Sequence, residues 1–151
     1  MDKISLAYMA GFIDGEGSVG LNKCNTRKRF SYRLEVQVMQ VDKRPLSFIQ
    51  GHFGGSISLR KHDNPKWSDC WHLVFTDRAA EKLLRAILPY LIVKKERATV
   101  VLKYRDLPRL NNVPHIRRIN ESAKARAILF NQSIIERRHQ IYNEYKTLVS
   151  Q

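Results

Sequence analysis

Near the start of the chain the apolar positions keep a helical period and then change it. Leu6, Met9, Ala10 and Ile13 recur at three- and four-residue spacing, one face of a short helix, and Gly15 and Gly17 end the run. From Ser18 the period falls to two. Val19 and Leu21 alternate with Gly20 and Asn22, Asn25 to Arg29 reads as a polar turn, and Tyr32, Leu34, Val36 and Val38 alternate with Arg33, Glu35 and Gln37. This is a hairpin with one apolar face.

Asp42 and Pro45 mark the cap and first turn of a brief helix that stops before Gly54 and Gly55. A second hairpin follows, with Ile57 and Leu59 alternating with Ser58 and Arg60, and a turn from His62 to Pro65. On its returning strand the bulkier set, Trp71, Leu73 and Phe75, is expected inward and Cys70, His72 and Val74 outward. Asp77 can cap a helix to Leu88, Pro89 breaks it, and a further helix runs from Lys94 to before Pro108. Ala127, Phe130, Ile134, Ile141, Tyr145 and Leu148 then make Asn120 to Val149 helical, as one helix or as two split near Asn131. With no Pro-, Gly- or Ser-rich linker and no internal repeat, the order αββαββαα describes one α+β domain spanning 1–151.

A length of 151 residues with 43% hydrophobic content supports one packed domain rather than a disordered basic tail. Two cysteines without a Cys-x-x-Cys pair exclude a disulfide scaffold and a zinc ribbon, and point to a reducing compartment. The run Leu88 to Val93 is far shorter than a membrane span, and the apolar stretch Ile4 to Ile13 is closed by Asp14 and Glu16 rather than by a cleavage site. The expectation is an intracellular protein with no membrane partner and no targeting signal, of prokaryotic, phage or organelle-encoded origin.

Charge changes the picture most. The net charge is +13 and the pI near 10.1, the signature of a protein that binds polyanions. Between residues 23 and 61 nine basic residues face two acidic ones. On the strand parity above, Asn22, Cys24, Ser31, Arg33, Glu35, Gln37, Ser58, Arg60, Cys70 and His72 leave the sheet on its polar side. Arg27, Lys28 and Arg29 stand at one tip, and Lys61 follows Arg60. Alternation alone would give a merely solvated face. A charge imbalance concentrated there points to nucleic acid, and a twisted β-ribbon fits a major groove, which offers partners to Arg, Gln, Asn and Glu. The basic residues of the tail, such as Arg117, Lys124 and Arg137, serve equally well as a wet helix face or as phosphate contacts.

Within this basic chain Asp14-Gly15-Glu16-Gly17-Ser18 sets two carboxylates at the end of a helix, where the helix dipole disfavours negative charge. An ordinary polar turn accounts for five such residues. So does a site for a hard divalent cation, which takes carboxylate and carbonyl oxygens.

Leu6 to Val19, LAYMAGFIDGEGSV, resembles the signature of the LAGLIDADG homing endonucleases, with Met9 to Gly17 on its nine positions. The element order, the Gly54-Gly55 break and Leu88-Pro89-Tyr90-Leu91-Ile92-Val93-Lys94-Lys95 are similar to its single-motif members. The likeness covers about residues 4–107 and leaves about 108–151 as a helical extension. It implies an αββαββα fold with a saddle-shaped antiparallel sheet. It also implies a homodimer joined through the motif helices, with Leu6, Met9, Ala10, Gly11, Ile13 and Asp14 at the contact, and a pseudo-palindromic double-stranded DNA target. Glu16 and the Gly15 carbonyl would hold Mg²⁺, or Mn²⁺ in its place, and Gln40, Arg44, Arg60 and Lys94 would complete the catalytic set. Hydrolysis of one phosphodiester per strand would follow. The hairpin reads as short for the family, with Cys24 and Gly20 where longer side chains are expected. The same scaffold also serves maturases acting on intron RNA and DNA-binding regulators that no longer cut; Glu16, Gln40 and Lys94 favour cutting.

Overall fold

A computed structural model describes residues 1–26, 29–64, 66–108, 110 and 121–150, with backbone alone at 25, 26, 29, 30 and 121. Helix α1, Lys3–Glu16, starts at Asp2, whose carboxylate accepts the Ser5 N–H at 2.8 Å. It leads into β1, Gly17–Thr26, which pairs antiparallel with β2, Arg29–Gln40. The pairing runs from Gly17 with Val38 to Thr26 with Arg29. The hairpin is therefore long rather than short. The polar residues expected to form a five-residue turn extend the ladder instead, because backbone pairing does not depend on side-chain polarity. Arg27 and Lys28 lie outside the described residues.

Asp42 caps α2, Lys43–Phe53, accepting the Arg44 N–H at 2.9 Å. β3, Ser56–Arg60, and β4, Cys70–Thr76, complete an antiparallel sheet in the order β1-β2-β4-β3. α3, Asp77–Ile87, passes through a 3₁₀ turn at Leu88–Tyr90 to α4, Lys95–Asp106. Asp77 is not the cap expected of it. Thr76 holds that position without a side-chain bond, and Asp77 sits inside the helix at φ 45°, its carboxylate 3.5 Å from Arg105. The C-terminal segment is one helix, α5, Glu121–Val149.

The helices lie on one face of the sheet. Leu34, Val36, Leu73 and Phe75 are each 0% exposed there, packed with Met9 and Ile13 of α1, Leu46 and Ile49 of α2, and Leu83 and Leu84 of α3. Leu73 and Phe75 fulfil the inward parity expected of β4, while Trp71 near the sheet end is half-buried. The second half of α5 joins this core through Ile141, and Tyr142 stacks on Tyr32 of β2 with ring centres 4.5 Å apart. Among the described residues no helix is long and apolar enough to cross a membrane.

The α2–β3 junction depends on glycine. Gly55 has φ 92°, and a Cβ there would meet the Phe75 ring and the Val74 carbonyl at 2.9 Å. Gly55→Ala is expected to cost about 1–3 kcal/mol, read as a lower midpoint in urea denaturation at unchanged slope. A stability equal to the native would mean that the junction relaxes freely.

Candidate active site and nucleic-acid face

The end of α1 is built by its own sequence. A Cβ at Gly17 would lie 2.8 Å from the Ile13 carbonyl oxygen, so only glycine lets the chain turn this tightly from helix to strand. The turn leaves Glu16 exposed at the helix end, beside the end of β2 that carries Val38 to Gln40.

Asp14 and Glu16 have opposite surroundings. The Asp14 carboxylate accepts backbone N–H groups of Ile92 at 2.6 Å, Val93 at 3.2 Å and Lys94 at 2.9 Å. It thereby ties the segment before α4 to α1. The Lys94 ammonium donates to the Asp14 carbonyl oxygen at the helix end, where a cation complements the dipole. Burial pulls the Lys94 pKa below the ordinary lysine range. Asp14 opposes that shift, Arg97 adds to it and Glu16 opposes it. Glu16, close enough to be felt by Lys94, has no hydrogen-bond or ion-pair partner among the described residues.

The other expected catalytic residues divide. Gln40 ends β2, two residues past the Val38 that pairs with Gly17 after α1; its Oε1 accepts the Val41 N–H at 2.8 Å, and its NH₂ has no partner among the described residues. Arg44 does not join this group. Its side chain is 90% exposed and forks onto the Asp42 cap of α2 at 2.9–3.1 Å, a local contact that fixes it on that helix. Arg60 is on β3, the edge strand three places from β1, roughly 14 Å across at ordinary strand spacing. It pairs with Cys70, near enough to His72 to lower that residue's pKa, and belongs to the polar sheet face.

That face is continuous over all four strands. The register sets Cys24 opposite Ser31, Asn22 opposite Arg33, Ser58 opposite His72 and Arg60 opposite Cys70, all on the side away from the helices. A string of bonds crosses it: Asn22 Nδ2 donates to Glu35 Oε1 at 3.2 Å, Gln37 Nε2 donates to the same oxygen, and Gln37 Oε1 lies 3.0 Å from His72 Nε2. Burial, with Arg60 adding and Glu35 opposing, holds His72 below the ordinary histidine pKa, so at pH 7 it is neutral and donates from Nε2 to Gln37. Arg33 and Ser58 are exposed on this face, and Lys61 is exposed just beyond β3. The Arg29 side chain, like Arg27 and Lys28, lies outside the described atoms.

The residues expected at a subunit contact need correction. Met9, Ala10 and Ile13 are each 0% exposed, consumed by the protomer's own core, and Leu6 is packed against it. Asp14 is spent on the 92–94 backbone. Of that set Gly11 alone is exposed, with open space around it. The outward face of α1 carries Ile4, 83% exposed, Ala7, Tyr8, 48% exposed, Gly11 and Gly15. The helical period holds the signal for this face, since it lies opposite the inward stripe.

The sequence model of a family described as LAGLIDADG endonuclease matches residues 9–110 of the chain. No curated protein matches it. Among solved structures it is similar to the homing endonuclease I-CvuI in complex with the I-CreI target and 2 mM Mg, with 21% identity, 87% of this chain and 80% of that one covered, and a TM-score of 0.59. I-CvuI with its own target and 2 mM Ca gives 20% identity, coverage of 96% and 94%, and a TM-score of 0.58. An archaeal intron-encoded homing endonuclease, I-Vdi141I, complexed with DNA, gives 15% identity over 100% of both chains at a TM-score of 0.58. The fold is the one these enzymes share.

Proposed function

The chain belongs to the LAGLIDADG endonuclease family, and from that premise we propose that it is a homodimeric, site-specific endonuclease that cuts both strands of a pseudo-palindromic DNA site. One observation carries the reading. A single helix commits one carboxylate, Asp14, to its own fold and leaves the next, Glu16, unpartnered beside Lys94 at the edge of a polar four-stranded face.

Glu16 and the Gly15 carbonyl fit a hard divalent cation, because a lone carboxylate at a helix C-terminus, among carbonyls without helical donors, is stabilised by positive charge. Mg²⁺, with Mn²⁺ as substitute, would supply charge neutralisation on the phosphate and a more acidic bound water. Lys94 sets a second positive charge where negative charge builds on the phosphate. The NH₂ of Gln40, without a partner among the described residues, orients the attacking water. That water forms the new P–O bond, the bond to the leaving sugar oxygen breaks, and its proton leaves through solvent to that oxygen. No side chain acts as nucleophile.

Among the described residues no protomer gathers three His, Cys, Asp or Glu side chains that could hold a metal. One protomer offers half a site. The outward strip of α1, with Ala7, Gly11 and Gly15 one turn apart and Ile4 and Tyr8 exposed on the same helix, suits close approach of a second α1, which would bring two Glu16 residues together. The dimer then presents two polar faces to one duplex.

The test is a randomised duplex library incubated with the protein and Mg²⁺, the cut ends sequenced, and the mass measured by light scattering. Cuts at one long pseudo-palindrome by a species of twice 17.7 kDa are expected. Adequate coverage without cuts in Mg²⁺ or Mn²⁺, or cutting by a monomer, would overturn the reading.

A further inference from the structure

Beyond this site, cations gather on the helical side of the molecule. Arg78, Lys82, Arg85, Arg105 and Arg138 line a cleft of about 560 Å³ between α3, α4 and α5, with Glu81 among them. Part of this charge is already answered: Arg85 pairs with Glu81 and Asp106, and Arg105 with Glu81 at 3.0 Å and Asp77 at 3.5 Å. Arg78, Lys82 and Arg138 make no ion pair among the described residues. Arg138 lies over the Tyr104 ring at 5.5 Å and donates to the Pro108 carbonyl at 3.4 Å, while its Nε–H is buried without an acceptor among the described residues.

A second cleft, of about 660 Å³, connects this region to the polar sheet face. It begins at Cys24, Ser31 and Arg33 and passes Asp77, which is paired with Arg105, to reach Arg78 and Arg105, which line both clefts. The Cys24–Ser31 pair is seven residues along β1 from the Gly17–Val38 pair beside Glu16, roughly 24 Å at 3.4 Å per residue. The two clefts therefore meet the reading face at the end remote from the cutting centre.

We propose that they form one basic track that takes the phosphate backbone of the bound duplex off the outer end of the reading face and over α3 towards α5. The inference rests on the sheet face being the DNA face. Phosphate is the ligand this donor set suits, since arginine forks match its oxygens and three of the five cations lack a carboxylate. Continuity with Cys24, Ser31 and Arg33 favours the same duplex over a separate RNA. The track lengthens the footprint and adds affinity that is independent of base sequence.

Hydroxyl-radical footprinting on a long duplex centred on the target, without Mg²⁺, tests this. The native protein protects the central site and further nucleotides on both outer flanks. The double variant Arg78→Glu with Lys82→Glu keeps the central protection, loses that of the flanks, and binds the long duplex about tenfold more weakly with a shallower salt dependence. Arg78→Gln with Lys82→Gln, which adds no negative charge, moves the same way by less, and thermal denaturation confirms that both are folded. Flanks protected equally in native and variant proteins would overturn the track while leaving the sheet face as the DNA face. No central protection in either protein would overturn the sheet-face reading, and the track with it. Weaker binding of a structured RNA by the variant, with the flanks still protected, would assign the cleft to RNA and overturn the proposal.

Discussion

Glu16→Gln abolishes strand cutting, by roughly a thousandfold or more, while target binding stays within about tenfold of native. The amide keeps the shape of the carboxylate and removes its charge, and with it the reason for a cation to settle at the end of α1. The fold does not miss that charge. Glu16 is exposed and unpartnered among the described residues, and a carboxylate at a helix C-terminus opposes the dipole by about 0.3–1 kcal/mol. Thermal stability should therefore be unchanged or slightly raised. Cleavage, gel-shift affinity and thermal melting on the same preparation separate the possibilities: loss of binding and cutting together, or a melting point several degrees lower, would make Glu16 a structural residue.

Asp14→Ala has the opposite profile. Three backbone N–H groups lose their charged acceptor at once, and the segment that brings Lys94 to α1 is released. Hydrogen bonds to charged groups contribute about 1.5–3 kcal/mol each, but Ile92 and Val93 are exposed, so water recovers much of that and a loss of about 2–4 kcal/mol is expected. For a chain of this size that lowers the melting temperature by roughly 5–15 °C. Cutting falls as well, because Lys94 loses its fixed place. Asp14→Asn, which keeps one acceptor oxygen, should sit between. A variant as stable as the native protein would show that the 92–94 backbone is held by something other than Asp14.

Much of this was legible in the sequence wherever a local period carried it. The two-residue alternation of β1, β2 and β4 assigned Leu34, Val36, Leu73 and Phe75 to the core and Asn22, Arg33, Gln37 and His72 to the opposite face. The Asp42 cap was visible because capping involves neighbours. Contacts between distant residues had no such signal. Asp14 meets residues about eighty positions later, and the basic cleft draws Arg78, Arg105 and Arg138 from three helices, so no window of sequence concentrates them. The subunit contact failed for a different reason. Resemblance to a motif assigned Met9, Ala10 and Ile13 to a partner, whereas the helical period had already placed them with the core, and one stripe of a helix cannot serve both. The hairpin length failed because polar side chains at Asn25 and Thr26 imitate a turn while their backbone continues the ladder.

The polar face also carries a lesson for retargeting such a protein. The core uses one parity of each strand and the polar face the other, so on the proposed function sequence preference can change without disturbing what keeps the chain folded. Yet Asn22, Glu35, Gln37 and His72 form one connected string over three strands. Exchanging any one of them strands its neighbours' donors or acceptors, and the effects of single changes will not add. New specificities are therefore reached in sets: the alphabet of this surface is written in words rather than letters.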